Sequence, residues 1–257
     1  MSTMTNPFQT FSLQGHRALV TGASSGLGQH FAATLAAAGA EVILAARRLD
    51  KLEECVTRIR HAGGRATAVA MDVCDRHSVA AALDGIEPPT ILVNNAGVTH
   101  TGRVLEIGDD DWNAVLDTDL KGAWIVAQET ARRMVAADAG GSIINVTSIL
   151  ASRVAGGVAP YCAAKAALAQ LTRALALELA RHNIRVNSLA PGYIITALNR
   201  EFLASEAGDR LRQRIPGRRF GTPEDLDGPL LLLASDAGAH MTGSEIVVDG
   251  GHLCSSL

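Results

Sequence analysis

The chain has 257 residues, enough for one large α/β domain or two small ones around a sizeable core. Hydrophobic residues make up 47% and charged residues 19%, which excludes a disordered chain, and a formal charge of -3 leaves no basic footprint for nucleic acid. No apolar run approaches the roughly 20 residues of a membrane-spanning helix, and the first fifteen residues have neither the basic nor the apolar stretch of a secretion signal. Cys55, Cys74, Cys162 and Cys254 are scattered, with no C-x-x-C and no His/Cys cluster. They read as reduced thiols of a cytoplasmic protein, with no metal site expected.

After a polar leader over residues 1–14, Arg17 to Thr21 reads as a short buried strand. It runs into G-A-S-S-G-L-G (Gly22, Ser24, Ser25, Gly26, Leu27, Gly28) and an Ala-rich helix from Gln29 to Ala38, closed by Gly39. Glycines between a strand and a helix give a tight turn, let backbone approach a pyrophosphate, and aim a helix N-terminus at the anion. Glu41 to Ala46 is a second strand. Its last position is where a nucleotide-binding fold places an acid for a ribose 2'-hydroxyl. Here Ala46 is followed by Arg47 and Arg48, which suit a 2'-phosphate and point to NADP(H) over NAD(H); the bland alternative is a solvated arginine pair.

Leu49 to His61 is an amphipathic helix stopped by Gly63 and Gly64, and Ala66 to Met71 a third strand. Asp72, followed by Val73, can accept from an adenine amino group or cap the helix starting near Arg76. Thr90 to Val93 is a fourth strand ending in N-N-A-G (Asn94, Ala96, Gly97), small residues that let backbone pass under a nicotinamide ribose. A long helix is expected from about Asp110 to Ala137, with Asp119 inside it.

Gly141 to Ser148 is the fifth strand, ending at a serine able to hydrogen-bond an oxygen where charge develops. Tyr161 and Lys165 then share one face of a helix that opens near Pro160 and runs to about His182. An ammonium beside a phenol favours the phenolate, which suits a tyrosine to proton transfer. Ile184 to Ala190 is the sixth strand, broken by Pro191 and Gly192. The stretch from Tyr193 to Gly221 has little regular pattern and reads as a lid. Its Arg210, Arg212, Arg214, Arg218 and Arg219 fit a solvated short helix better than an anionic substrate. Another helix runs from Pro223 to Ala234, and Glu245 to Val248 is the last strand.

Alternating strands and helices without linker or repeat predict one α/β unit over 15–257, a doubly wound parallel sheet of about seven strands with helices on both faces. The candidate residues then gather at strand carboxyl ends, where such sheets bind ligands.

With T-G-A-S-S-G-L-G at 21–28, N-N-A-G at 94–97, Ser148, Y-C-A-A-K at 161–165, P-G-Y-I-I-T at 191–196 and a closing V-D-G-G, the chain resembles a short-chain dehydrogenase/reductase. The resemblance implies a Rossmann fold, hydride transfer between a nicotinamide and a secondary alcohol/ketone pair, and a homotetramer. It makes Tyr161 the general acid or base, gives Ser148 the substrate oxygen, and has Lys165 bind the nicotinamide ribose. Pro191, Gly192, Ile194 and Thr196 would surround the nicotinamide and phosphates. The chain departs from the family at Asp119, where Asn is usual as part of a proton relay; a carboxylate there raises the Lys165 pKa, or is a helix residue only. The expected substrate wall (Ile149, Leu150, Val154, Val158, Tyr193, Leu198) is apolar. A small ketone or polyol ranks above a carrier-bound 3-oxoacyl chain, since an acidic carrier wants a basic patch. A nucleotide-sensing Rossmann protein without turnover is the alternative from another class.

Overall fold

A computed structural model describes residues 7–197 and 199–255. Seven strands form one parallel sheet: β1 (Arg17–Thr21), β2 (Glu41–Ala46), β3 (Arg65–Ala70), β4 (Ile91–Asn94), β5 (Gly141–Val146), β6 (Ile184–Pro191) and β7 (Glu245–Val248). Their order is β3-β2-β1-β4-β5-β6-β7. The central strands are continuous apolar runs because both faces are covered. Alternate residues divide between two cores. Ala18, Val20, Val42 and Leu44 pack with α1 (Gly26–Ala37), α2 (Leu49–His61) and α9 (Asp227–Ala234). Leu19, Ile43, Leu92 and Ile143 pack with α3 (Arg76–Asp84), α5 (Ala123–Ala136) and α6 (Ala159–Leu179) on the other side. The chain is doubly wound, as the alternation predicts.

The order reverses between β1 and β4, opening a crevice at the carboxyl ends of these two strands. Thr21, Ala46, Asn94, Val146 and Pro191 end their strands on that one rim. Residues 7–14 join the fold: Pro7–Phe11 is a 3-10 turn, Leu13 is fully buried, and its N–H donates to Ala38 O at 2.9 Å.

Four details differ from the sequence reading. The helix expected over 110–137 is α4 (Asp109–Leu116), a π-helical turn (Asp117–Gly122) and α5. The stretch 193–221 holds two short helices, α7 (Arg200–Leu203) and α8 (Glu206–Arg214). α8 carries almost no apolar residues, which is why its period was illegible. Asp72 does not cap α3; Asp75 does, accepting from His77 N–H, while Asp72 Oδ1 accepts from Cys74 N–H at 3.0 Å. The helix expected over 223–234 opens as a 3-10 turn, Pro223–Leu226, before α9. Among the described residues no helix is long and apolar enough to cross a membrane.

Candidate active site

β5 delivers Ser148 to the rim, where a 3-10 turn (Ile149–Ala151) begins. Ser148 Oγ accepts from Leu150 N–H at 3.1 Å, so its acceptor side is used and its proton is left to give outward. α6 starts on the rim with Pro160 in its first turn, tolerated there because that N–H has no helical partner. One turn separates Tyr161 from Lys165, and the Lys165 ammonium lies 5.4 Å from the Tyr161 ring centroid.

Lys165 is buried, and its Nζ donates to Val146 O at 3.1 Å. Its second partner is the Asp119 carboxylate, with Nζ to Oδ2 at 3.1 Å. Asp119 is wholly buried, and its Oδ1 accepts from Val98 N–H at 2.7 Å. A Cβ on Gly97 would sit 2.9 Å from Asp119 Oδ2, so the glycine of N-N-A-G is what lets the carboxylate in. Burial alone would push the Lys165 ammonium down, but the Asp119 carboxylate, with the Tyr161 phenol beside it, holds it above its ordinary value. Burial in turn pushes the Asp119 carboxyl up. The carboxylate in place of the usual Asn thus meets the lysine directly.

The glycine turn forms the second part of the rim. Gly22 has φ +66° and Gly26 φ +56°, both left-handed. A Cβ on Gly28 would lie 2.4 Å from Gly22 O, so only glycine permits this closure. Ser25 precedes α1 in extended conformation with no side-chain cap, leaving the first amide donors of α1 unclaimed by a side chain. Nothing lies within 4 Å of a Cβ built on Gly26. Unclaimed donors, open space and the helix N-terminus fit a pyrophosphate. Leu27 packs against the core below, and Ser24 Oγ accepts from Arg48 Nη2 at 3.0 Å. Arg47 and Arg48 are exposed beside Ala46.

Other predicted residues divide. Asp72 and Val73 lie half-buried at the end of β3, Val73 against Gly122 of the π turn. Asn94 does not offer its side chain outward: its Nδ2 donates to Ala123 O and Asn145 Oδ1, both at 3.0 Å, because the amide is the brace between β4, β5 and α5. Its neighbour Asn95 was missed; its Nδ2 donates to Thr21 O at 3.0 Å, and its own and Ala96 N–H groups donate to Thr21 Oγ1, locking the glycine turn. Pro191 ends β6 opposite Val248 of β7, and Gly192 follows it, its N–H donating to Val248 O at 2.9 Å where a Cβ would meet Asp249 Cβ at 2.7 Å. Ile194 is buried and bridged to Gly221. Thr196 N–H donates to Asn199 Oδ1 at 2.8 Å, a second asparagine the sequence reading overlooked.

On the substrate side Ile149 is buried, Leu150, Val158 and Tyr193 are half-buried, and Val154 stands 87% exposed, too far in solvent to wall a pocket by itself. Leu198 lies outside the described residues. The closing turn approaches from the other end of the chain. The rings of Tyr193 and His252 lie 5.8 Å apart at 36°, and Arg153 Nη1 donates to His252 O and, at 2.8 Å, to Ser255 Oγ. Arg153 lies in no motif of its own, and His252 directly follows the closing V-D-G-G without being part of it.

The family described as Enoyl-(Acyl carrier protein) reductase matches residues 22–252. Gluconate 5-dehydrogenase of Gluconobacter oxydans is 37% identical over 94% of this chain and 96% of its own. The 3-oxoacyl-[acyl-carrier-protein] reductase of Pseudomonas aeruginosa is 38% identical over 93% of this chain and 98% of its own. A crystal structure of a gluconate 5-dehydrogenase from Burkholderia cenocepacia, in complex with NADP and tartrate, superposes with a TM-score of 0.94 at 36% identity, covering 98% of this chain and 100% of that one.

Proposed function

The chain belongs to the short-chain dehydrogenase/reductase family and is an oxidoreductase of a secondary alcohol/ketone pair, and from that premise we propose an NADP(H)-preferring enzyme of a small ketone or polyol. The observation that carries the reading is the cluster of Ser148, Tyr161 and Lys165 on one rim beside the glycine turn. When bound, the nicotinamide supplies or takes up the hydride; everything else falls to the chain. The Ser148 hydroxyl donates to the substrate oxygen and orients it. In reduction the Tyr161 hydroxyl gives its proton to that oxygen, and in oxidation the phenolate takes it back. Lys165 keeps a positive charge beside that phenolate, and with two of its three donors spent on Val146 O and Asp119 it has one left for a ribose hydroxyl. Asp119 fixes the ammonium in place.

Arg47 and Arg48 beside an Ala46 that carries no acid support the NADP(H) preference, as does the NADP bound to the Burkholderia protein. Substrate class draws support from the gluconate relatives; the Pseudomonas relative keeps a carrier-bound 3-oxoacyl chain as the second reading. Exposed Leu177 on α6 and Trp124 on α5 support a homotetramer built on that face. Four unpaired thiols support a cytoplasmic home.

The test is initial-rate nicotinamide absorbance with NADPH and with NADH, against keto-sugars, polyols, diketones, aryl ketones and a 3-oxoacyl ester. Tyr161→Phe should cut kcat by at least about a thousandfold, the scale of lost acid–base catalysis, with NADPH binding retained. Binding without turnover of any carbonyl or alcohol by the unmodified enzyme refutes the reading.

A further inference from the structure

The stretch from Tyr193 to Gly221 packs around a centre of its own. Leu203, Ile215 and Phe220 make a small buried cluster apart from the two sheet cores, with Tyr193, Ile195 and Leu211 packed on it. The two ends of the stretch are tied together: Gly221 N–H donates to Tyr193 O and Ile195 N–H to Gly221 O, both at 2.9 Å. A unit with a separate cluster is placed by the contacts that reach outside it, and it moves when they are lost.

Several of those contacts converge on the turn that closes the chain. Gly250 and Gly251, with φ +65° and +86°, reverse the backbone after β7. The Asp249 carboxylate fixes that turn by accepting from Gly251 N–H at 2.8 Å and Leu253 N–H at 2.5 Å. Toward the far end of the stretch, Gly217 N–H donates to Gly250 O at 2.9 Å, and a Cβ on Gly251 would stand 3.3 Å from the Pro216 ring. At the near end the ring of His252 lies 5.8 Å from that of Tyr193. His252 Nδ1 is buried with no hydrogen-bond partner among the described residues, so packing on Tyr193, and no bond to that nitrogen, holds the ring.

A third contact joins the same turn to the loop that carries Ser148. Arg153 Nη1 donates to His252 O and, at 2.8 Å, to Ser255 Oγ. Arg153 N–H donates to Ile149 O at 2.9 Å, within the turn where Leu150 N–H holds Ser148 Oγ at 3.1 Å. We propose that the closing turn is a clamp that sets the 193–221 stretch against the Ser148 loop, with Arg153 as the positioning residue that ties it to that loop. The proposal rests on the oxidoreductase reading, because what the clamp aligns is the substrate oxygen between Ser148 and Tyr161 and the stretch that covers it. Displacements of about 1 Å in such an alignment cost up to about a hundredfold in rate.

Two readouts test it on the full chain with NADP(H) added: hydrogen exchange of peptides across 193–221 by mass spectrometry, and steady-state kinetics with whichever keto-sugar, diketone, aryl ketone or 3-oxoacyl ester gives the highest kcat/KM. Arg153→Ala should speed exchange across 193–221 and raise KM for the carbonyl, each by about tenfold, the worth of a hydrogen bond from a charged group, with NADPH affinity within about twofold of native. Arg153→Lys should restore most of both, since one ammonium can serve both acceptors. Should Arg153→Ala fail to fold, Ser255→Ala carries the same two readouts in the same direction by a smaller factor. A loss of stability alone, as in Leu13→Ala away from the rim, lowers Tm and leaves KM native. Unchanged exchange across 193–221 overturns the clamp even if KM rises, because the guanidinium then acts on the substrate itself. Faster exchange with a native KM overturns it too, and in both cases turnover leaves the oxidoreductase reading intact. No turnover of any carbonyl or alcohol by the native protein sinks that reading, while the exchange data still decide the clamp.

Discussion

Replacing Asp119 by Asn exchanges one oxygen for an amide and removes a single buried charge 3.1 Å from the Lys165 ammonium. Two unit charges at that separation attract by about 5 kcal/mol at an effective dielectric of about 20. Much of this is offset because the carboxylate no longer has to be desolvated, and an Asn oxygen still accepts from Val98 N–H. The balance does not favour the pair: burial holds the Asp119 carboxyl above 3.8 even with Lys165 beside it, so the variant should match the native Tm at pH 7 or exceed it by up to about 4 °C. The pH dependence is specific. Lys165 titrates above its ordinary 10.5 in the fold, so its stabilisation is complete below 10.5 and is lost as pH rises through the higher folded value. Burial holds the Asp119 carboxyl above 3.8, so its own ionisation works against the fold, and protonation at low pH makes the native protein resemble the variant. The Tm gap should therefore be open in the variant's favour across neutral pH, close as pH falls through the raised Asp119 value, and widen on the far alkaline side, where Lys165 loses its proton and leaves the native carboxylate unpaired. Without the carboxylate, burial pulls Lys165 downward, so the alkaline limb of kcat/KM should move to lower pH. Scanning fluorimetry and pH–rate profiles on both proteins test this. A variant less stable than the native protein at pH 7, or an unshifted alkaline limb, refutes the coupling.

Two further outcomes follow from the geometry. The double change Arg47→Ala and Arg48→Ala should lower kcat/KM for NADPH by at least about tenfold, the worth of a charge-assisted phosphate contact, with a much smaller effect on NADH; equal losses on both cofactors would remove the clamp. Leu13→Ala empties a fully buried site under the leader and should cost about 2–4 kcal/mol, read as a fall in urea midpoint; a native midpoint would mean residues 7–14 lie on the fold without contributing to it.

Much of the architecture is legible because period and position agree. The apolar runs of β1, β2, β4, β5 and β6 are fully buried strands, and glycines and small residues mark where strands stop. The serine, tyrosine and lysine are legible for the same reason: Ser148 sits two residues past the end of β5, Tyr161 in the first turn of α6 and Lys165 one turn further on. What escaped is local hydrogen bonding that leaves no periodic trace. Nothing in N-N-A-G tells that the first Asn turns inward to Asn145 while the second locks the glycine turn. Asp72 and Asp75 are both plausible caps, and the choice depends on which residue is extended before α3. Arg153 and His252 meet only through the tertiary fold, across 99 residues. The expected wall of Ile149, Leu150, Val154, Val158, Tyr193 and Leu198 rests on apolar character alone, and the fold buries Ile149 and leaves Val154 in solvent.

The π turn at Asp117–Gly122 has a bearing on how this helix tolerates change. A π turn is an α-helix carrying one surplus residue, and each residue advances the helix by about 100°. Asp119 meets Lys165 from inside that turn, so the alignment depends on residue count as well as on residue identity. Deleting one position between Asp117 and Gly122 would let the segment relax into ordinary α-helix and swing either Asp119 or all of α5 through about a quarter turn. Point substitutions sample the chemistry of this site, but a single-codon deletion or insertion resets its phase.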